Sequence, residues 1–548
     1  MTLHLLSLPH EVLHAILVNI NPQDLARLCC CRALNDFIKS DCLLHKELCL
    51  NYFDAPPNHS DVGEVSWDAR LKRFVNFQKI LESKDVRLKT AQMHNVTQCV
   101  QDLLTTAAVG SEPSQNIAFL THLFESQQNI DIFLTSSFLF DWARAEAWGN
   151  MTTTRVRRNT RSTLTNLDST QSSVEPSDLE AADSAILVPQ ELKRTPLAHL
   201  SVDDSEAPTQ VYRYQLNIPI EDASAYMPRD RSINRQLSAK LHCLYGASID
   251  RIRKDSVTST RYSLRSDTAL IHPYARSLVY DLRQHTYNTL WGPFLDDGSS
   301  DVDWEKMEAI MLILDHNVKF STGEHHEFHG MIDVQTKPFL GATPNSFASH
   351  PQSLPMQPRL PLEAQDPYAV TGTWRRVVCF LDYAELYDFN FNEDEPEDDQ
   401  PRRPIDTQEA IRLITMKIHI TKIEPPGEDD GQALPVVHFH GSSHSLRPHW
   451  DPNAKSKMKG TVRLTPQGEV RWTTFSVYHG EERWRSEGIQ VGGVRSARGV
   501  LGYWFDKDHD EQGPAGPTGF WKHHDGIEEK QPTGRDHPPM SQFTYSLY

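Results

Sequence analysis

Apolar residues recur every three to four positions along the first fifty residues, which predicts short amphipathic helices. Asn21-Pro22 and Lys39-Ser40-Asp41 interrupt this pattern and divide the segment from Leu8 to about Phe53 into three helical pieces. Proline suits the first turn of a helix, so Pro9 favours a helix start at this position. The first piece is apolar on more than one face, so it must be buried in a core, in a membrane or against another chain.

Helical spacing continues to about Trp148, as in "WDARLKRFVNFQKILESK". Residues 54–149 are therefore predicted to form a helical spacer that packs behind the trio. The composition then changes to Ser, Thr, Asp, Glu and Pro, with few aromatic residues to build a core. Residues 150–208 are predicted to be a disordered linker.

Strand signals dominate residues 209–548. They are clearest in "TWRRVVCFLDY", "RLITMKIHITKI", "LPVVHFHG", "KGTVRLTPQGEVRWTTFSVY" and "GVLGYWFD". Pro466-Gln467-Gly468 lies between two alternating runs and predicts a hairpin, because glycine supplies the positive φ that the turn needs. Disordered insertions are predicted near 345–368 and 392–406, and "VDWEKMEAIMLILDHNV" is predicted to be helical.

Several antiparallel strands joined by hairpins and long loops indicate a closed or nearly closed β-barrel. The predicted fold class is therefore α+β and multidomain. It combines an N-terminal three-helix unit and helical spacer with a C-terminal antiparallel β-rich, barrel-like domain that carries long disordered loops. A chain of 548 residues also exceeds what one hydrophobic core usually serves.

Composition excludes several functional classes. No apolar run approaches the roughly 20 residues that cross a bilayer, so no membrane association is expected. The formal net charge of −18 argues against general nucleic-acid binding. The basic cluster Arg155–Arg161 is a local exception inside the predicted linker. The cysteines, three of them consecutive at Cys29, Cys30 and Cys31, lack the spacing of a disulfide framework, which favours the cytoplasm or nucleus.

The order of residues in the N-terminal segment matches a known motif at Leu8-Pro9-x-Glu11-Val12-Leu13-x-x-Ile16-Leu17, Asp24-Leu25, Cys31-Arg32 and Phe37. This set resembles the F-box, over residues 1–53. The resemblance implies that the trio docks on the adaptor Skp1 and through it joins a cullin in a Skp1-cullin-F-box (SCF) ubiquitin ligase. The implied adaptor-binding residues are Leu8, Pro9, Val12, Leu13, Ile16, Leu17, Leu25 and Leu28. The alternative is an ordinary helical hairpin that happens to start Leu-Pro.

A second resemblance is carried by three blocks scattered between about Leu290 and Lys522, beginning "WGPFLDDG", "GTWRRVVC" and "RWTTFSVY". They look like segments of fungal F-box proteins whose substrates are largely unassigned. Gly372-Thr373-Trp374 is similar to a strand opening in the F-box protein that captures cyclin D through a barrel-like domain. The resemblance implies that the C-terminal domain recruits a protein substrate.

Two histidine clusters raise the possibility of a metal site, namely His325, His326 and His329, and His438, His440 and His444. Strand alternation would place His438 and His440 on one face, where two imidazoles could share a metal. Solvated histidines explain the same pattern, and no cysteine lies nearby. No nucleophile elbow, phosphate-binding loop or dinucleotide fingerprint is present in the sequence. We therefore expect no catalytic residue, no metal and no cofactor.

Tryptophan and arginine dominate binding hot spots in protein interfaces. The candidate substrate-binding residues are therefore Trp374, Arg375, Arg376, Trp472, Trp484, Arg485 and Trp504. Tryptophans on alternating strands are more often part of a core, which is the competing interpretation.

The sequence thus predicts an F-box substrate receptor that is not itself an enzyme. Two other possibilities stay open at this point. The barrel could be a small-ligand binder or a metal-dependent enzyme whose F-box controls its own turnover. The F-box could also bind Skp1 outside any ligase.

Overall fold

The computed structural model describes residues 8–28, 31–56, 66–109, 113–144, 229–247, 264–321, 336–347, 362–392, 402–446 and 455–526. The predicted linker, the basic cluster Arg155–Arg161 and the histidines at 325, 326 and 329 lie outside them.

The N-terminal segment forms four short helices: α1 (His10–Leu17), α2 (Pro22–Leu28), α3 (Arg32–Ser40) and α4 (Cys42–Tyr52). The predicted breaks at Asn21-Pro22 and at Asp41 are confirmed, but the break between α2 and α3 was missed because Cys31 fits the apolar spacing. Asp41 caps α4, since its carboxylate accepts a hydrogen bond from the backbone N–H of Leu44 at 2.9 Å.

The next segment is helical, as expected. It comprises α5 (Trp67–Glu82), α6 (Val86–Ala91), α7 (Met93–Thr105), α8 (Gln115–Leu123) and α9 (Gln127–Phe133). Helices α2 and α4 pack against α5, and α5 packs against α6, α7 and α8. The N-terminal helices therefore share one continuous hydrophobic core with the spacer.

Asp54 joins the end of the N-terminal segment to the spacer. Its carboxylate accepts hydrogen bonds from the backbone N–H groups of Ala108 at 2.9 Å and Gln115 at 3.0 Å, and from the hydroxyl of Ser114. Burial alone would raise the pKa of Asp54, but these hydrogen bonds outweigh burial and lower it. The ionised carboxylate thus fixes the start of α8 against α4.

Four helices precede or interrupt the strands: α10 (Arg229–Tyr245), α11 (Leu264–Val279), α12 (Trp304–Ser321) and α13 (Tyr383–Phe391). The predicted helix in "VDWEKMEAIMLILDHNV" is confirmed as α12. The other three were not predicted, because α10 is rich in polar residues and Pro273 lies inside α11. Helix α10 packs against α7 and α12. The part of residues 209–371 that the structure describes is therefore helical, apart from loops and one isolated bridge.

The strands form a closed antiparallel barrel in which each strand pairs with the next along the chain and the last pairs with the first. They are β1 (Gly372–Phe380), β2 (Ala410–Glu424), β3 (Val436–Ser445), β4 (Lys455–Leu464), β5 (Val470–Tyr478), β6 (Glu481–Gln490), β7 (Val500–Asp506) and β8 (Ala515–His524). The predicted barrel is confirmed, and the predicted hairpin joins β4 to β5 with Gly468 at φ +87°.

Two strands were not predicted. Strand β8 reads "AGPTGFWKHH", and its glycines and proline weaken the strand signal. Strand β6 reads "EERWRSEGIQ" and alternates only in part. Both are fixed by pairing with neighbouring strands rather than by their own propensity.

The two insertions predicted from composition have packed ends. Near 345–368, Tyr368 is buried and its hydroxyl donates to the carbonyl of Pro435 at 3.0 Å. Near 392–406, the guanidinium of Arg402 is buried and donates to Asp281 at 3.1 Å and to the carbonyl of Phe389 at 2.8 Å. Tertiary contacts thus fix these ends, and the two insertions themselves stay predictions.

Helix α12 connects the helical part of the chain to the barrel. One side packs against α10 and α11, and another side packs on the outer faces of β1, β7 and β8. Its apolar residues are buried almost all round, including Met307, Ile310, Met311, Ile313, Leu314 and Val318. The barrel lumen holds a second, separate apolar cluster that includes Met416, Phe439, Val462 and Phe520.

Two buried carboxylates form hydrogen bonds where α10, α11 and α12 meet the barrel. Glu308 of α12 contacts Nδ1 of His242 at 2.5 Å and accepts from the hydroxyl of Ser137. Glu409, just before β2, accepts from Tyr280 at 2.5 Å, from Asn317 at 2.8 Å and from Arg276 at 3.0 Å. Buried charges are tolerated only when they are paired and hydrogen-bonded, so these contacts define how α10, α11 and α12 meet the barrel.

We expect Leu314→Ala to lower the free energy of unfolding by about 2–5 kcal/mol, because it leaves a cavity between α12 and the barrel. Urea unfolding followed by circular dichroism measures the change. Leu340→Ala is the matched control, since Leu340 is an exposed leucine and its truncation is expected to cost about 0.5 kcal/mol or less. Equal effects of the two substitutions would contradict the role given to α12.

Candidate functional site

Helix α1 has two apolar faces. Leu13 and Leu17 point into the core and are 4% and 1% exposed, respectively. Val12 and Ile16 are 44% and 40% exposed, and with Pro9 they form a stripe at helical spacing. We call Pro9, Val12 and Ile16 the α1 stripe. No described part of this chain covers it, so it is available to a partner.

The eight predicted adaptor-binding residues therefore divide into two groups. The α1 stripe is on the surface, and Leu8 and Leu28 are partly buried, while Leu13, Leu17 and Leu25 belong to the core of this chain. Sequence spacing could not separate the groups, because both faces of α1 are apolar. Leu43, in the first turn of α4, is a further exposed apolar residue that the sequence analysis did not single out.

A histidine holds α1 against the start of α4. Nδ1 of His14 lies 2.7 Å from Oδ2 of Asp41, and its Nε2 lies 3.1 Å from Oε2 of Glu47. The hydrogen bond to Asp41, followed by the one to Glu47, raises the pKa of His14. Burial alone would raise the pKa of Asp41, but the hydrogen bonds from His14 and Leu44 lower it. We call this group the His14 clamp, and no motif in the sequence pointed to it.

Two of the predicted substrate-binding tryptophans lie inside the barrel. The rings of Trp374 and Trp472 are 5.0 Å apart, and each also packs edge-on against Phe520. Their indole N–H groups donate to the carbonyl of Val370 at 2.9 Å and to the side chain of Gln490 at 3.2 Å. These tryptophans fill the core, as the competing interpretation held, and we call their layer with Phe520 the aromatic layer.

The other candidates lie elsewhere. Trp504 is buried and donates to the carbonyl of Cys379 at 2.9 Å, and half-buried Trp484 packs edge-on against it with ring centroids 5.3 Å apart. The guanidinium of Arg375 donates to Thr415, and that of Arg485 donates to Glu487 at 3.0 Å. The structure therefore does not bring the predicted residues together in one surface patch.

A pocket of about 130 Å³ opens beside the aromatic layer, and Phe347, Tyr368, Trp374, Arg495 and Lys522 contribute to its walls. Its two cations already have partners. Lys522 donates to the carbonyl of Ala369 at 2.5 Å and contacts Asp525 at 2.6 Å, while Arg495 donates to the carbonyl oxygens of Asp366 and Pro367, each at 2.7 Å. These contacts hold residues 366–369 across this end of the barrel, so the charges here support the loop.

The histidines of β3 lie as strand alternation predicted, with His438 and His440 on one face. That face points away from the lumen, which Val437 and Phe439 enter. Nε2 of His438 lies 2.5 Å from Oε1 of Glu424. Among the residues that the structure describes, no group of three or more His, Cys, Asp or Glu side chains could hold a metal ion.

Comparison with known proteins bears on the N-terminal helices. Residues 5–51 match the F-box-like family model, a range that contains α1, α2, α3 and nearly all of α4. The chain carries an F-box-like domain. A search of curated proteins and a search of solved structures each found no match. The resemblances to fungal F-box proteins and to the cyclin-D-directed one gain no support from these comparisons.

The F-box-like domain thus contains both the α1 stripe and the His14 clamp, and it rests on α5 of the spacer. Among the residues that the structure describes, no helix is long and apolar enough to span a bilayer.

We expect the His14 clamp to make stability depend on pH. Because the pKa of His14 is raised, the clamp stabilises fully below about 6.5 and loses this contribution as pH rises through the raised value. Because the pKa of Asp41 is lowered, the contribution is also lost as pH falls below about 3.8. Relative to His14→Gln, the wild type is expected to gain about 1–2 kcal/mol near pH 5 and less near pH 9.

Urea unfolding of both proteins at pH 5, 7 and 9 measures this difference. His122→Gln is the control, because the side chain of His122 is largely exposed and pairs with the exposed Glu125. A stability difference between wild type and His14→Gln that is the same at all three pH values would contradict the clamp.

Proposed function

We propose that this protein is an F-box substrate receptor of an SCF ubiquitin ligase. Its F-box-like domain binds a Skp1-type adaptor and through it a cullin, and its C-terminal barrel recruits a protein substrate. The chain itself is a non-catalytic subunit. The observation that carries the proposal is the exposed α1 stripe inside the segment that matches the F-box-like family.

An exposed apolar stripe on a helix is explained most simply by a partner surface. Val12 and Ile16 are four residues apart and project from the same side of α1, as the anchors of a helix in a protein interface do. Leu13 and Leu17, on the other side, tie α1 to its own core. One helix can therefore serve both the fold and the adaptor.

The arrangement of the remaining chain supports the receptor role. Asp54 and the shared core join the F-box-like domain to the spacer, and α10 and α12 join the spacer to the barrel. A ligase accelerates transfer by holding a substrate lysine near the charged E2, which requires a defined geometry between adaptor and substrate. Continuous packing from α1 to the barrel provides such a geometry.

The experiment is co-expression of the full chain with Skp1, followed by purification and calorimetric measurement of the affinity. We expect wild type to bind and Val12→Asp to bind at least about a hundredfold more weakly, because the substitution buries an unpaired carboxylate in the interface. Its thermal unfolding is expected to stay close to that of wild type, since Val12 is exposed.

Val109→Asp is the matched control. Val109 is an equally exposed valine, at 49%, and lies outside the segment that matches the family. Its variant is expected to bind Skp1 as wild type does. A folded Val12→Asp protein with unchanged affinity would contradict the α1 stripe as adaptor surface. A folded wild type that fails to bind Skp1 or to co-purify a cullin would overturn the proposed function.

A further inference from the structure

The barrel lumen contains a buried arginine. Trp374 belongs to the aromatic layer, and Arg376 follows it two positions later on β1, so its side chain enters the lumen as well. Arg376 is 7% exposed. Its Nε donates to the hydroxyl of Thr518, another lumenal residue, at 2.9 Å.

The two terminal nitrogens of this guanidinium have no hydrogen-bond acceptor among the described residues. Nη1 and Nη2 of Arg376 make no hydrogen bond or ion pair with any residue that the structure describes. Neither nitrogen is among the fully enclosed, unpartnered atoms of the described chain, so each keeps some solvent-accessible surface. Two strong donors are thus left without an acceptor among the described residues.

Other buried arginines of this protein have acceptors. Arg276 pairs with Glu409 at 3.0 Å and Arg402 with Asp281 at 3.1 Å. Arg498 donates to the carbonyl oxygens of Leu244 at 2.6 Å and Tyr245 at 2.9 Å. Arg376 differs from these in lacking any acceptor for its terminal nitrogens among the described residues.

The charge of Arg376 is also uncompensated. Burial lowers the pKa of Arg376 to about 10, which still leaves the side chain protonated at neutral pH. Tyr478 is the one other group, among the described residues, that affects this pKa, and no carboxylate does. A buried cation without a counterion is costly, and an anion bound to the terminal nitrogens of Arg376 would offset that cost.

The surroundings of Arg376 suit such a ligand. On one side lies the aromatic layer, and toward the other end of the barrel the lumen carries the paired hydroxyls of Thr474 and Ser486, 2.5 Å apart. Beyond them, the half-buried lumenal residues at the barrel end include Val378, Phe380, Arg412, Ser445, Tyr478 and Trp484. Access is therefore from this end, through a rim in which aromatic rings stand beside serine hydroxyls and a second arginine, Arg412.

We propose that the barrel lumen binds a small organic anion, whose carboxylate or phosphate group accepts hydrogen bonds from both terminal nitrogens of Arg376 and whose apolar part packs against the aromatic rim. The planar guanidinium presents two parallel N–H groups, which match two oxygens of a carboxylate or phosphate. This ligand site is separate from the α1 stripe and does not depend on the proposed function.

The test uses the purified full chain and three probes of similar size: benzoate, phenyl phosphate and neutral benzamide. Thermal unfolding and titration calorimetry report binding. We expect at least one anionic probe, and not benzamide, to raise the melting temperature of wild type. We expect Arg376→Met to bind that probe about ten- to a hundredfold more weakly, the range that charge-assisted hydrogen bonds provide.

Two further variants make the result specific. Arg463→Met also removes an arginine from a barrel strand, but Arg463 lies on the outer face and pairs with Asp430 at 3.3 Å, so probe binding is expected to match wild type. Arg376→Lys keeps the charge but lacks the two-pronged donor and is expected to bind about tenfold more weakly. It serves as the readout if Arg376→Met does not fold.

Benzoate binding alone would identify a carboxylate ligand and phenyl phosphate binding alone a phosphate ligand, and either supports the proposal. It is overturned if no probe binds wild type, if benzamide binds equally well, or if both Arg376 variants bind as wild type does. Skp1 capture by the same preparations is measured separately. Loss of the ligand site and loss of the adaptor function are therefore distinguishable.

Discussion

Burial of helix α12 on nearly all sides is the constraint on which the rest of the structure depends. A helix this apolar cannot lie on a surface, so it requires helices on one side and the outer face of the barrel on the other. Its polar side chains must then find partners inside the protein, and Glu308 and Asn317 do so with His242 and Glu409. The α+β architecture follows from covering this one element.

The same core extends to the F-box-like domain, which explains why short helices can hold a defined position. Helices α1 to α4 are each too short to be stable alone, and they gain stability from α5 and from specific polar contacts. Asp54 fixes the end of α4 to α8, and the His14 clamp fixes α1 to α4. Helix α1 therefore presents the partner surface on one face, while its other face packs in the core.

Sequence patterns predicted elements better than they predicted roles. The barrel, the β4–β5 hairpin and α12 were accessible because period-two alternation, Gly468 and dense apolar spacing are local signals. Strand β8 and helix α11 were not, since tertiary contacts override their glycines and prolines. The division of α1 into a core face and an exposed stripe depends on what α4 and α5 cover. The predicted domain boundaries, including residues 150–208, stay predictions.

The α1 stripe and Arg376 are two places, among the described residues, where the packing or pairing within this chain is incomplete. The α1 stripe leaves apolar residues in water, and Arg376 places an uncompensated cation in a lumen. Other buried charges, such as those of Glu409 and Arg402, have partners within the described chain. A fold whose side chains are otherwise well packed and paired tolerates an exposed apolar surface or an unpaired charge where a bound ligand or partner covers it. The α1 stripe is apolar and Arg376 is cationic, so we expect the two places to bind different partners.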